Sequence, residues 1–324
     1  GSQLARAVES LEAVADHLAE VRVRPDQLQP LLDIRRARRR LAGQVSIVQQ
    51  FLNVVPDGVP DPNCRWVEPA RQRSGPPSAA VVVSPIEVGP TLQRILWTPF
   101  RGSVATSATL TVSRQFGFLR QRIGLSEGTE TLLESPFDHA TQAVLGLPRD
   151  LPTPDDPTFL ARTAEVVVDA VRTSGGGAFV LCTSYAAVRF YSDALRGAGI
   201  PGVLSQGSRG RAILLDRFRG TGGVLVGTDS FWEGVSVPGD ALRLVVIPRL
   251  PFRVPTEPLR LARTEWLAAK GLDPFRAYAL PEAVLKLKQG YGRLIRTQRD
   301  RGVVLLLDRR IHERRYGQIM LRSL

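Results

Sequence analysis

Only two cysteines occur in 324 residues, Cys64 and Cys182, far apart and in unlike contexts. Neither a disulfide framework nor a multi-cysteine metal site can be built from them, and both read as buried thiols. Lysine is nearly absent, occurring only at 270, 286 and 288, where it is followed by Gly271, Leu287 and Gln289. A Gly-Lys-Ser/Thr segment therefore does not exist, and with it goes the P-loop, whose ammonium must reach the β- and γ-phosphates of a nucleotide. No Asp-Glu dipeptide occurs to form a DEAD-type magnesium box. Asp308 closes an apolar run as a metal-binding aspartate would, but without a P-loop it reads as structural. No uninterrupted apolar stretch reaches membrane-spanning length, and the N-terminus lacks the charged and apolar regions of a signal peptide. These absences lead us to expect a cytoplasmic chain with no membrane partner. Gly1-Ser2 in place of an initiating Met reads as an expression remnant, and so as a piece of something longer.

A hydrophobic content of 43% is that of a folded protein, and the length allows two domains. The net charge of +12 is carried almost wholly by arginine. Such a balance favours nucleic acid or another polyanion as partner, although an arginine-preferring composition gives the same number.

Residues 3 to 21 space Leu4, Val8, Leu11, Ala15 and Leu18 three or four apart, and Ile34, Ala37, Leu41, Val45, Val48 and Leu52 repeat the pattern. Two antiparallel helices are expected. Arg35, Arg36, Arg38, Arg39 and Arg40 crowd the second, either as a solvated face or as a strip along a phosphate backbone. Pro56 to Ser78 reads as irregular connection with at most one short strand, at Trp66-Val67. A strand at 81–88, a short helix at 91–97 and a strand at 103–110 suggest that a β-α-β pattern begins there.

After the prolines of 148–157 a regular alternation follows. Helices are expected at 159–171, 186–196, 210–219, around 257–270 and at 281–296, with strands at 178–183, 202–205, 224–227, 242–248 and 303–308. Apolar, β-branched strands alternating with helices make an α/β domain, a parallel sheet covered on both faces, from about 150 to 324.

Sites in such sheets lie beyond the carboxyl ends of the strands. Strand 178–183 leads into Thr183-Ser184-Tyr185, where hydroxyls and free N–H groups serve either as a helix cap or as a phosphate site. Strand 224–227 leads into a polar, glycine-punctuated loop from Thr228 to Gly239, too long to be only a turn. Thr228 and Ser230 offer hydroxyls there, while Phe231 and Trp232 read as core anchors or as stacking platforms. Thr106-Ser107-Ala108-Thr109 follows strand 103–105. If the helix at 281 continues to Arg296, Gln289, Arg293 and Arg296 fall at i, i+4 and i+7 and present an amide and two guanidinium groups on one face. Such a face can hold a polyanion.

Taken in order, six segments resemble the DinG/XPD family of superfamily two DNA helicases, most closely its bacterial DinG-like members, over about residues 80 to 320. They are Thr106 to Leu110, Ser135-Pro136-Phe137-Asp138, Leu181 to Tyr185, Ser230 to Gly239, Arg249-Leu250-Pro251-Phe252 and Gln289 to Arg296. The resemblance implies RecA-like lobes, of the P-loop NTPase type, that bind ATP between them. It makes residues 1–56 a helical arch segment, 57–147 the connection and tail of the first lobe, and 148–324 the second lobe. Arg293 and Arg296 are then arginine fingers on the γ-phosphate with Gln289 beside them. Glu233 and Gly234 lie on the nucleotide side, and Thr183, Ser184, Tyr185, Thr228 and Ser230 lie near the DNA backbone. Ser107 and Thr109 couple hydrolysis to strand movement.

The implied activity is 5′ to 3′ translocation on single-stranded or forked DNA in repair or replication, by a monomer that uses ATP and Mg2+. The P-loop and magnesium box would lie on a first lobe missing from this chain, so this piece alone should not hydrolyse ATP. Any iron–sulfur cluster would also lie upstream. Ser236 stands where the family commonly has Asp, which removes a carboxylate contact. A non-catalytic nucleic-acid-binding protein derived from such a lobe is the alternative.

Overall fold

The computed structural model describes residues 28–53, 55–56, 58–70, 78–232, 237, 239–253 and 256–324, together with Arg6, Glu9, Ser10 and Ala13. The helix expected at 3–21 thus falls, apart from those four positions, outside the described residues. Along the chain run helix α1 (Leu28–Leu52), strands β1 (Asn63–Pro69) and β2 (Ala79–Pro85), a helical turn (Gly89–Leu92) that widens to π geometry (Gln93–Trp97), and short helices at Gly117–Ile123 and His139–Gln142. Strand β3 (Ala143–Gly146) is followed by α2 (Phe159–Ser174), β4 (Ala178–Leu181), α3 (Tyr185–Gly197), β5 (Val203–Ser205), α4 (Arg211–Thr221) and β6 (Val224–Gly227). After one helical turn at Asp229–Trp232 come β7 (Leu244–Ile247), α5 (Pro258–Ala269), α6 (Leu280–Tyr291), β8 (Gly302–Leu306), a turn at Arg310–Glu313 and α7 (Arg315–Arg322).

Two compact units result, one from residues 1–88 and 255–272, the other from 89–254 and 273–324. In the first, β1 and β2 pair antiparallel, with Trp66 opposite Val82 and Val67 opposite Val81. Helix α1 packs on β2, and α5 on β1. Arg263 of α5 is only 4% exposed and sends both Nε, at 3.0 Å, and Nη2 to the carbonyl of Ile86. Hydrogen bonding to the main-chain carbonyl offsets part of the cost of burying this guanidinium.

This pairing corrects the expected β-α-β start at 81–110. The partner of the 81–88 strand is β1, antiparallel, and residues 103–110 form no strand. Their apolar, β-branched composition favours extended backbone, but Val104 is 90% exposed, and without a neighbouring strand extended backbone makes no ladder.

In the second unit six parallel strands order as β3-β8-β7-β4-β6-β5. Strands β4, β6 and β7 are buried at every position, as a sheet covered on both faces requires. Alternation along β4 divides the core. Phe179 and Leu181 join Phe218, Trp232, Val284 and Leu287 on one side, while Ala178 and Val180 join Val167, Val171, Val188 and Leu195 on the other. Each fully buried Val, Leu or Phe contributes about 1.5–3 kcal/mol relative to exposure, so the covered sheet dominates this unit's stability. The hydroxyls of Thr163 and Tyr191, 2.7 Å apart, fasten α2 to α3 beneath that layer. The parallel sheet flanked by helices is the RecA-like fold expected from the sequence.

Candidate functional site

At the carboxyl ends of β4, β5 and β6 the chain gathers polar side chains. Ser184 caps α3, its Oγ accepting the Ala187 N–H at 3.2 Å, and Tyr185 follows with 58% of its surface exposed. Thr183 is half-buried, Ser230 exposed and Thr228 only 6% exposed. Three of these candidates meet at one side chain that the sequence reading did not single out, Gln206. Its Oε1 accepts from Thr228 N at 2.5 Å and Thr228 Oγ1 at 3.1 Å, while its Nε2 donates to Tyr185 Oη at 3.0 Å and Ser230 Oγ at 3.2 Å. The signal was available: Gln206 is the first residue beyond β5 and precedes Gly207, so the rule of inspecting strand ends, applied to this shortest strand, finds it.

Behind this cluster stands Trp232, fully buried. Its Nε1 donates to the carbonyl of Cys182 at 3.1 Å, which ties the turn after β6 to the end of β4. Gly290 of α6 faces the indole so closely that a Cβ there would lie 2.7 Å from Cζ3. Glycine is what lets helix and ring approach. The Lys286 ammonium lies 5.5 Å from the indole centroid. Phe231 and Trp232 are therefore core anchors, 1% and 0% exposed.

The segment 289–296 departs from expectation. Helix α6 ends at Tyr291, so Gln289, Arg293 and Arg296 do not share a helical face. Two causes are visible. Leu294 and Ile295, 1% and 3% exposed, are drawn into the core, and the Asp300 carboxylate takes main-chain N–H groups that a continuing helix would have used. It accepts from Arg296 N and Thr297 N at 2.8 Å each, from Thr297 Oγ1 at 2.6 Å and from Gly239 N at 3.1 Å. Burial alone would raise the Asp300 pKa, but these hydrogen bonds outweigh it and hold the carboxyl below the usual range. Arg293, 6% exposed, turns inward and donates Nε and Nη2 to the Trp232 carbonyl at 2.8 and 2.6 Å. Arg296 is exposed and Gln289 half-buried. Both ends of the loop after Trp232 are thus held, one by Arg293 and the other, at Gly239, by Asp300.

Glu233 and Gly234, with Ser236, lie outside the described residues. Ser107 is exposed and accepts the Thr109 N–H at 3.3 Å. Two residues further on, the Thr111 carbonyl accepts from Lys288 Nζ at 3.3 Å, next in sequence to Gln289. Asp308, fully buried, is occupied by Arg310, whose Nη2 lies at 2.6 Å, and by the N–H of Leu250 at 2.9 Å. Cys64 and Cys182 are both buried, and burial raises both thiol pKa values. They do not supply the four thiolates of an all-cysteine iron–sulfur cluster. Among the described residues no group of three His, Cys, Asp or Glu side chains is placed to hold a metal ion.

Residues 167–324 match the family model described as a helicase C-terminal domain. The ATP-dependent DNA helicase YoaA of Haemophilus influenzae is 40% identical over 262 residues, covering 81% of this chain and 40% of that protein. The ATP-dependent DNA helicase DinG of Photobacterium profundum is 36% identical over 277 residues, covering 81% and 39%. Among solved structures, one titled XPD helicase superposes with a TM-score of 0.57 at 18% identity over 75% of this chain and 45% of its own, a likeness of fold. The chain spans about two fifths of the length of the curated relatives it matches. With a RecA-like sheet, a helicase C-terminal domain and relatives named YoaA and DinG, the chain belongs to the DinG/XPD-like superfamily two helicases, as a C-terminal part of that family.

Proposed function

We propose that this chain is the C-terminal motor lobe of an ATP-dependent DNA helicase that moves 5′ to 3′ along single-stranded DNA. The observation that supports this best is the joining of two groups through one tryptophan. Trp232 is bonded on its indole side to the end of β4, which carries Thr183 to Tyr185, and on its carbonyl side to Arg293. A change at the arginine segment therefore has a short path to the strand-end hydroxyls.

In this reading Thr183, Ser184, Tyr185 and Ser230 lie along the DNA backbone, with Thr228 behind them. Arg293 and Arg296 act on the γ-phosphate of ATP held by another lobe, with Gln289 beside them and Glu233 and Gly234 on the nucleotide side. Phosphoryl transfer develops charge on the γ-phosphate oxygens, and an arginine supplied across a closing interface contributes roughly 10³ to 10⁵ in rate. Mg2+ would come with that nucleotide. Ser107 and Thr109 couple closure to strand movement. Residues 1–56 belong to an arch, 57–147 to the tail of the first lobe and 148–324 to the second. Single-stranded or forked DNA is the partner, the protein acts in repair or replication as a cytoplasmic monomer, and the lobe with the P-loop completes the active site. Among the described residues no helix is long and apolar enough to cross a membrane.

The test pairs two measurements on this chain. Binding to a fluorescent oligothymidylate should be weak and fall steeply as salt rises, because phosphate contacts release counterions. Salt-insensitive binding would sink the DNA assignment. ATP hydrolysis should be absent, since no lysine is placed to cradle the phosphates, and metal-dependent hydrolysis by the pure chain would overturn the division of the active site between lobes.

A further inference from the structure

The amide of Gln206 is oriented by its surroundings. Its oxygen accepts the main-chain N–H of Thr228 at 2.5 Å, a bond the NH2 end cannot make, so oxygen and nitrogen are distinguished. Both protons on Nε2 then have destinations, one at Tyr185 Oη and the other at Ser230 Oγ. A hydroxyl whose oxygen accepts a hydrogen bond keeps its own proton to give. Tyr185 and Ser230 are exposed, so these protons are available to solvent or to a ligand. Thr228 contrasts with them: it is buried, and its hydroxyl proton goes to Gln206 Oε1.

The support beneath the amide is rigid. Gln206 N continues the strand ladder to Val226 O at 2.9 Å. The preceding Ser205 Oγ donates to Ser192 Oγ at 2.7 Å and accepts from Arg196 Nη2 at 2.6 Å. At Gly227 an added Cβ would meet the Phe231 ring and stand 3.1 Å from Gln206 Oε1, so glycine leaves the room that the amide uses.

We propose that Gln206 is a positioning residue for phosphodiester binding. By donating to Tyr185 and Ser230 it fixes both hydroxyls as paired outward donors, and the acceptor they fit is a phosphate oxygen of single-stranded nucleic acid. The proposal rests on the DNA-binding role given above and adds the residue that sets its polarity.

Gln206→Glu keeps the shape but puts an acceptor where the NH2 stood, so both hydroxyls must reverse, and a negative charge is added beside the phosphate. Gln206→Met keeps the length and removes the bonds. Anisotropy titrations of a fluorescent oligothymidylate with the whole chain at fixed salt should show Gln206→Glu weakened about tenfold or more and Gln206→Met several-fold. Combining Gln206→Met with Tyr185→Phe and Ser230→Ala should add little beyond those two substitutions, because all act through the same two protons. Thermal midpoints and circular dichroism, taken alongside, confirm that each variant is folded during the titration. A merely structural glutamine would lower the midpoint and leave the affinity of the folded protein alone. Unchanged affinity in Gln206→Met, or strictly additive losses, overturns the proposal. If the unaltered chain itself fails to bind oligothymidylate, the DNA-binding reading falls instead, so the two failures are told apart.

Discussion

Arg293 reaches the carbonyl oxygen of Trp232 with two of its nitrogens, Nε at 2.8 Å and Nη2 at 2.6 Å. Two donors on one buried oxygen make the side chain a clamp on the main chain where the loop after β6 begins. Arg296, three residues on, is exposed, and its main-chain N–H donates to Asp300.

The two arginines should therefore fail differently. On the proposed division of the site, in a protein carrying both lobes, Arg296→Ala is expected to lower ATP turnover by roughly 10³ or more and, because the residue is exposed, to move the thermal midpoint less than Arg293→Ala does. Arg293→Ala should also cut turnover far more than DNA affinity. In addition it strands a buried carbonyl, at about 1–3 kcal/mol, so its melting temperature should fall. Steady-state hydrolysis, DNA titration and thermal melts decide this. Equal losses of hydrolysis and DNA affinity in Arg293→Ala would place that residue on the DNA.

Gly290→Ala tests the approach of α6 to Trp232. The new methyl would lie 2.7 Å from Cζ3, 2.9 Å from Cε3 and 3.3 Å from Ile247 Cδ1. Ring and helix must separate, at a cost of about 1–3 kcal/mol, with a shift in tryptophan fluorescence. Gly197→Ala is the contrast, since nothing lies within 4 Å of its added Cβ. Its denaturation midpoint should hold or rise slightly.

The Asp300 carboxylate makes the fold acid-sensitive in a definite direction. Its folded pKa lies below the ordinary 3.8 because four hydrogen bonds favour the charged form over the effect of burial. The stabilisation is complete above the ordinary value and is lost as pH falls through the folded pKa. Melting temperature should drop on acidification below about pH 4. In Asp300→Asn it should be lower at neutral pH and should drop less over that acid range; an unchanged acid profile would remove Asp300 from the account.

Cys64 and Cys182 are 7% and 2% exposed, and burial raises the pKa of both thiols. A thiol reagent at pH 8 should label neither in the folded protein and both after denaturation. Rapid labelling of Cys182 in the native state would mean that the end of β4 opens far more readily than its packing implies.

The central sheet was legible because β4, β6 and β7 are short, unbroken apolar runs between turn residues, too short for a buried helix and rich in β-branched residues, as a strand covered on both faces is. Its edge was not. The four residues of β3 include Val144, 63% exposed, and carry no periodicity from which to read a partner. The run at 103–110 misled for the converse reason: its composition suits a strand, but composition does not supply a neighbour. The 289–296 segment looked helical because apolar spacing continues through Leu294. What goes with the end of the helix is the burial of Leu294 and Ile295 and the capture of the Arg296 and Thr297 N–H groups by Asp300, which no local pattern announces. The candidate side chains followed the same division. Motif order singled out Tyr185, Thr228 and Ser230, whereas Gln206, which joins them, lies in a stretch with no motif and is reached only by inspecting the end of β5.

The compact unit formed by residues 1–88 with 255–272 bears on where this protein can be trimmed. A chain cut to the matched span, residues 167–324, would keep α5 while discarding β1, against which it packs, and Ile86, whose carbonyl receives the Arg263 guanidinium. It would also strip β3 from β8, leaving that strand as a raw edge open to pairing with another molecule. The span matched by the family model is thus shorter than the unit that folds, and expression of that span alone should yield aggregates, with an α5 that has lost its packing strand and an uncovered β8 as the first faults.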